Sequence, residues 1–510
     1  MELYFEIGLA LLAIVCLIDL PFALKDNNSL YGYFLKSGKL KLPGFVAAIL
    51  SANISIGNFI VFVAGWGYLF GWGGILWFIV NLALNTVAYI WFVPAFSSYI
   101  EDSNNSGTIH EYLSTKFASK DSAFSSKIRL VASATTIFGL LLAIVFEIHL
   151  ATILIAPVLK LDPVYLFLIL TALICVYSAI GGFHTLIFTD MVQSFVMIAG
   201  TIAIIPILLS FGDISQLHVR YPFNFNSINI GWPSILGICV IGSGWFLVAM
   251  DQWQRTCAMR DSSRTKTGML WYFFSISLFA IVYGLIGMYD GSYILPALNA
   301  AHISNSSGSN PLVDYFLVPK IHNNVHWVFI VLPGLAFLAA AMSTANTFLI
   351  VSGHSFVSDL LMVIAKKNTI HEIDKKNEST YISIARSVIT GMGVFVILVW
   401  VVFNVTGLLN DPLSFFFIAY SIQFALLAPM VFSRLSASYH PSAKAIYYSI
   451  IVGVLMSVGS SISFWILGQY RHDAIFIGLT PFDWLSLTPV ITWLSGMLVL
   501  LISNVRRTVK

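Results

Sequence analysis

Thirteen predominantly apolar stretches of about 20 residues or more run through this 510-residue chain, each long enough to cross roughly 30 Å of hydrocarbon. They cover approximately residues 3–24, 43–70, 72–98, 128–157, 162–183, 186–210, 234–252, 269–296, 326–362, 382–408, 412–433, 444–468 and 485–504. With 58% hydrophobic and only 10% charged residues, and a mean hydropathy of +0.87, the chain has too little polar surface for a soluble fold. An all-α polytopic membrane protein of about 13 transmembrane helices is expected. The first stretch starts among Glu2 and Glu6 rather than after a basic region, and no small-residue cleavage site comes after it, so it reads as a retained helix and not a leader. Cys16, Cys175, Cys239 and Cys257 have no spacing that suggests zinc or a disulfide framework.

An odd number of spans puts the termini on opposite sides, and the basic residues then choose the orientation. With the N-terminus outside, 22 of the 26 Lys and Arg residues fall in cytoplasmic segments, leaving only Lys160, Arg220, Lys320 and Arg471 outside. The expected topology is therefore N-out and C-in. The net charge of +3 follows from this bias and calls for no nucleic-acid partner.

Against this apolar background, Ala339 to Thr347 is polar in the middle of a span. On a helix, Ala340, Ser343 and Thr344 share one face, with Thr347 a turn further on. Ser and Thr in apolar helices often bond back to a carbonyl one turn earlier. Alternatively, these oxygens present hard ligands to a small cation such as sodium, which would need a second element to complete the shell.

Two spans carry interruptions. The second contains Ile49-Leu50-Ser51-Ala52-Asn53-Ile54-Ser55-Ile56-Gly57-Asn58-Phe59; the seventh contains Gly237 and Gly242-Ser243-Gly244. Small and polar residues at membrane depth serve either close helix packing or an unwound segment lining a cavity. Lying five spans apart, the two segments cross in opposite directions, which points to an inverted-repeat transporter with its site at the repeat interface. The expected divisions are an N-terminal accessory helix and cytoplasmic loop (1–42), a first five-helix repeat (43–210), an extracellular loop (211–233), a second inverted repeat (234–437) and two C-terminal accessory helices (438–510).

Four stretches in this order resemble the sodium:solute symporter family, whose members share the inverted-repeat fold of the leucine transporter. They are Ser51-Ala52-Asn53-Ile54-Ser55; Gly181-Gly182 followed by Thr189-Asp190 and Gln193; Trp253-Gln254-Arg255 followed by basic residues up to Gly268; and Ala340 to Thr344 leading on to Asp359. The resemblance implies a main sodium site made by carbonyls of Ser51, Ile54 and Ala340 and hydroxyls of Ser343 and Thr344. It implies a second ion site in some relatives, matched here by Asp190, Ser343 and Thr347, with Asn346 standing where those relatives carry a hydroxyl. Solute candidates are Asn53, Asn58, Trp77, Asn81, Glu147, Trp245 and Gln423. Asp251 and Arg255 are inner-gate candidates, with a snorkelled surface cluster as the alternative.

The expected function is sodium-coupled symport of a small polar organic solute by alternating access. Alternatives are a proton-coupled transporter of the same fold, working through Glu147 or Asp190, and a transporter-like membrane sensor. No enzyme is expected, since the eleven histidines show no catalytic or metal spacing. The expected partners are the solute, Na+ and the bilayer, with no cofactor beyond the coupling ion and no obligatory protein partner. Compact loops favour a bacterial inner membrane.

Overall fold

Glycines and a few unwound residues decide where the apolar stretches turn. The structure is a computed structural model and describes residues 2–508 apart from 28, 36–39, 103, 120–121, 213, 222–231, 301–310, 321–324, 368, 411, 436–440 and 471–480. Its regular elements are helices. Among the described residues, nine are long and apolar enough to cross a membrane, or ten when one bent pair counts as a single span.

The chain opens with α1 (Glu2–Ile18) and reaches α2 (Leu42–Asn53). Helical geometry fails at Ile54 (φ −81°, ψ 69°). A π-helical turn, Ile56–Val61, then leads into α3 (Phe62–Phe92), which is itself divided at Gly71 (φ 57°, ψ −135°). After α4 (Ile109–Ala118) and α5 (Ser122–Leu159), α6 (Pro163–Phe211) runs through a second such point, Gly182 (φ 56°, ψ −150°). Positive φ is open to glycine at no steric cost; Gly71 falls between the stretches 43–70 and 72–98, and Gly182 falls at the end of 162–183, just before 186–210. A Cβ at Gly182 would also lie 2.7 Å from the Tyr33 carbonyl oxygen. Gly182→Ala is expected to cost more than about 1 kcal/mol, read as a lower melting temperature in detergent.

The second half contains α7 (Trp232–Val248), α8 (Met250–Met259), α9 (Ser262–Tyr289), α10 (Pro311–Leu317), α11 (Val328–Ser355), α12 (Glu378–Thr406), α13 (Pro412–Ser421) and α14 (Leu427–Leu435). The chain closes with α15 (Ala443–Tyr470) and α16 (Thr488–Thr508), which pack on each other. Every residue of α11 from Ala336 to Ser355 is buried. An apolar helix buried all round is a central one, and α11 packs against both α5 and α6, while α9 and α7 pack on α3.

The second interruption lies elsewhere than the glycines suggest. Gly242, Ser243 and Gly244 stay helical; the break comes at Ala249 (φ −73°, ψ 103°), where α7 and α8 meet at 43°. The glycines serve close packing instead. A Cβ at Gly237 would lie 2.1 Å from the Ser486 carbonyl oxygen, and one at Gly242 would lie 1.6 Å from Asn81 Oδ1. Near the break, two side chains bond to the backbone of α7. The Phe246 N–H donates to Asn85 Oδ1 (3.1 Å), and Trp253 Nε1 donates to the Leu247 carbonyl (3.3 Å).

Candidate functional site

The broken end of α2 meets the polar face of α11. Thr344 Oγ1 donates to the Ala52 carbonyl at 3.1 Å, and the Ser51 and Ser343 hydroxyl oxygens are 2.5 Å apart. Ser343 also donates to Asp190 Oδ1 on α6 at 2.7 Å. A hydroxyl has one proton, so Ser51 must be the donor in the Ser51–Ser343 bond. Ile54 is buried at the unwound end of α2, and Ala340 is buried one turn before Ser343 and Thr344. The five residues expected around a sodium ion thus lie at one junction, where uncharged oxygens from two elements converge. Ser and Thr here bond across to α2 and α6 rather than only back along their own helix.

One turn away, Arg255 organises the acidic residues. Its Nη2 donates to Asp190 Oδ2 (3.1 Å) and Thr347 Oγ1 (2.8 Å), while Nη1 donates to Asp251 Oδ2 (3.1 Å). Arg255 and Asp190 are wholly buried. This excludes the snorkelled surface cluster, because Arg255 reaches inward from α8 to α6 and α11. The residues expected for a second ion and those expected for an inner gate therefore form one network. Asn346 stands apart from it: its Oδ1 accepts from Ser178 Oγ (2.6 Å) and its Nδ2 donates to Thr189 Oγ1 (3.4 Å), so it ties α11 to α6.

Between the two broken helices lies a cavity with about 960 Å³ of empty volume, its open mouth included. Asn53, Asn81 and Trp245 line it. Trp77, Glu147 and Gln423 do not, and the side chain of Asn58 lies outside the described residues. The reason for Trp77 is helical phase: Phe78, Asn81, Leu82 and Asn85, spaced i, i+3, i+4, i+7, are the face turned to the cavity. Gln423 is buried in a 3₁₀ turn, Ile422–Leu426, behind the lining.

Glu147 is engaged by the first broken helix and by α13. Its Oε2 accepts the Gly57 N–H at 3.1 Å and its Oε1 accepts the Tyr420 hydroxyl at 3.5 Å. It caps backbone freed by the first break and links it to α13. Glu147→Gln keeps an acceptor oxygen for Gly57, whereas Glu147→Ala strands a buried N–H at a cost of about 1–3 kcal/mol. Gln is accordingly expected to retain most of the wild-type melting temperature and solute uptake, and Ala to lose both. His149 is structural, accepting from Trp400 Nε1 at 3.2 Å.

A second buried network went unread in the sequence. Asp359, just past α11, accepts from His110 Nδ1 (2.8 Å), Thr108 Oγ1 (3.0 Å) and Arg129 Nε (3.1 Å), and His110 Nε2 meets Thr136 Oγ1 at 2.9 Å. It fastens α4 to α5 and to the end of α11. The available signal was a cluster of polar residues around Thr108-Ile109-His110-Glu111 with a capping pattern, the Glu111 N–H donating to Thr108 Oγ1.

The architecture is that of a helical membrane protein in which two broken helices flank one cavity. The sodium:solute symporter family matches residues 33–409, and the chain belongs to that family. Over 496 residues, 92% of each chain, it is 23% identical to the sodium/sialic acid symporter SiaT of Proteus mirabilis. It is 25% identical to the high-affinity proline transporter PutP of Bacillus subtilis over 362 residues, 66% of this chain and 70% of that one. The solved structure of a Na+-coupled sialic acid symporter matches with a TM-score of 0.75 over 98% of each chain, at 16% identity, which establishes a common fold. The protein is an integral membrane, sodium-coupled solute symporter of leucine-transporter-like fold.

Proposed function

We propose that Na+ binds at the junction of α2 and α11 among Ser51, Ile54, Ala340, Ser343 and Thr344, and that its binding completes the solute cavity. The carrying observation is the direct hydrogen bonding of Ser343 and Thr344 to Ser51 and the Ala52 carbonyl. In exchanging those bonds for ion contacts, a bound cation holds the broken helix against α11. Sodium binds first, and the solute then enters the cavity beside it. Arg255 already supplies a positive charge to Asp190 and Thr347, which supports one coupled sodium rather than two. Its pairing with Asp251 closes the cytoplasmic side, and rocking of one helix bundle against the other gives alternating access. This reading takes thirteen spans, N-out and C-in, with repeats at 43–210 and 234–437, in a bacterial inner membrane.

The experiment compares melting temperature in detergent with NaCl or KCl at equal ionic strength, so that screening is the same in both. A sodium-specific rise is expected, growing with the logarithm of sodium concentration above the dissociation constant. Equal responses to the two salts would overturn the sodium assignment at these residues.

A further inference from the structure

We infer that a groove on the membrane-facing side, away from the central cavity, holds the acyl chain of a phospholipid with an anionic headgroup. The groove lies between α5, the π-helical turn Phe356–Leu361 that continues α11, and α12, with about 890 Å³ of empty volume, its open side included. Small residues open the hollow: Ala134 and Gly391 are exposed, and a Cβ added at Gly391 would meet nothing within 4 Å. Phe138, Phe356 and Phe395 line it beside them. None of the ten described lining residues carries a side-chain oxygen or nitrogen. A pocket for a polar solute needs a few placed polar groups to orient its ligand, and this one has none. All three helices are long and apolar enough to cross a membrane, so the hollow opens on hydrocarbon, where an unfilled gap forfeits dispersion contacts on both sides.

Helical register sets the charged end. The starts of α5 and α12 and the end of the α11 run, at Ile364, lie at one membrane face: Arg129 of α5 bonds to Asp359 in the π-helical turn, and a short loop joins Ile364 to α12. On α5, exposed Lys127 stands two turns, about 10 Å, before Ala134, the first lining residue. On α12, half-buried Tyr381 stands two turns before Val388, the first lining residue there. Residues seven apart share a helix stripe. Two walls of the groove therefore run down to headgroup-level residues, a cation on one and an interfacial aromatic on the other. Lys366, exposed just past Ile364, adds a second positive charge at the third wall. Glu378, the first acid on α12, is turned about 90° away from the lining stripe. An apolar hollow that stops short of two lysines fits a molecule with an apolar tail and a negative head. A zwitterionic lipid would fill the hollow and leave the lysines unused.

The test uses the purified full-length protein, stripped of phospholipid in detergent and titrated with phosphatidylglycerol or phosphatidylcholine carrying the same acyl chains. Native mass spectrometry counts bound lipid, and melting temperature reads its effect. Phosphatidylglycerol is expected to act at a concentration about fivefold lower than phosphatidylcholine or less, the factor one lysine near an anionic lipid supplies. Gly391→Leu fills the hollow. It is expected to melt at or above the wild type without lipid, to retain one phosphatidylglycerol fewer and to lose most of the rise; Ala134→Leu is the second variant should the first not fold. Lys127→Gln/Lys366→Gln is expected to bring phosphatidylglycerol down to the level of phosphatidylcholine and to leave phosphatidylcholine unchanged. Equal responses of the wild type to the two lipids overturn the inference, as does a Gly391→Leu protein that keeps the wild-type lipid count and response. So does a wild-type dimer that Gly391→Leu dissociates, because a second copy of the chain would then fill the groove.

Discussion

Arg255→Gln is expected to eliminate transport and to lower the melting temperature more than any other single polar substitution in the core. The guanidinium is wholly buried between Asp190 and Asp251, with Thr347 as a further acceptor. Removing one partner of a buried pair leaves an uncompensated charge, at about 3–5 kcal/mol, and here two carboxylates are left at once. Arg255→Lys is expected to recover only part of the loss. An ammonium is a point charge, without the planar fork that spans acceptors on α6, α8 and α11. Arg255→Gln combined with Asp190→Asn isolates the cause, because it removes one stranded charge without restoring the cation. A double variant melting clearly above Arg255→Gln is the expected result; equal melting would mean that packing of the guanidinium, not pairing, is what stabilises this part of the core.

What the sequence discloses and what it conceals have separate physical origins. Span length and hydropathy make the all-helical, membrane-crossing character legible, since the requirement to cross hydrocarbon acts on every residue of a stretch; of the thirteen stretches expected, nine or ten are long apolar helices among the described residues. The junction of Ser51 with Ser343 and Thr344 is legible too, because oxygens in an aliphatic helix need a reason to be there. The position of the second break is not. Gly237, Gly242 and Gly244 look like unwinding signals, yet they give room to Ser486, Asn81 and Leu427 from other helices, a demand that only tertiary packing states. At the actual break, at Ala249, Trp253 Nε1 takes up the Leu247 carbonyl, and no local pattern announces it. The contacts of Glu147 are hidden for the same reason. A mid-membrane carboxylate is expected to be functional, and its partner, the Gly57 N–H, exists only because a different helix unwinds. Arg255 was readable as an ionic residue at the inner end, but its reach to Asp190 and Thr347 depends on three helices converging.

The second large effect is expected at the junction itself. Ser343→Ala/Thr344→Ala should abolish the sodium-specific rise in melting temperature and reduce sodium-driven uptake into proteoliposomes by at least a hundredfold. In potassium, its fold should survive. Each hydroxyl contributes about 0.5–1.5 kcal/mol net when it pairs inside the protein, so losing two costs less than stranding one charge at Arg255. Against sodium the loss is different in kind. With no charged ligand among the five residues, affinity rests on the number and placement of neutral oxygens, and removing two of five takes away the side-chain part of the shell. Part of the effect passes through Asp190, which loses the Ser343 donor at 2.7 Å while keeping Arg255. Ser343→Thr separates the two roles: it keeps a hydroxyl able to donate to Asp190 and to face Ser51, at the expense of one added methyl in a packed interior. It is expected to retain a sodium response at higher half-saturating concentration. If Ser343→Ala/Thr344→Ala instead kept the wild-type sodium response, the ion would have to bind away from the α2–α11 junction, and the hydrogen bonds seen there would be structural clamps alone.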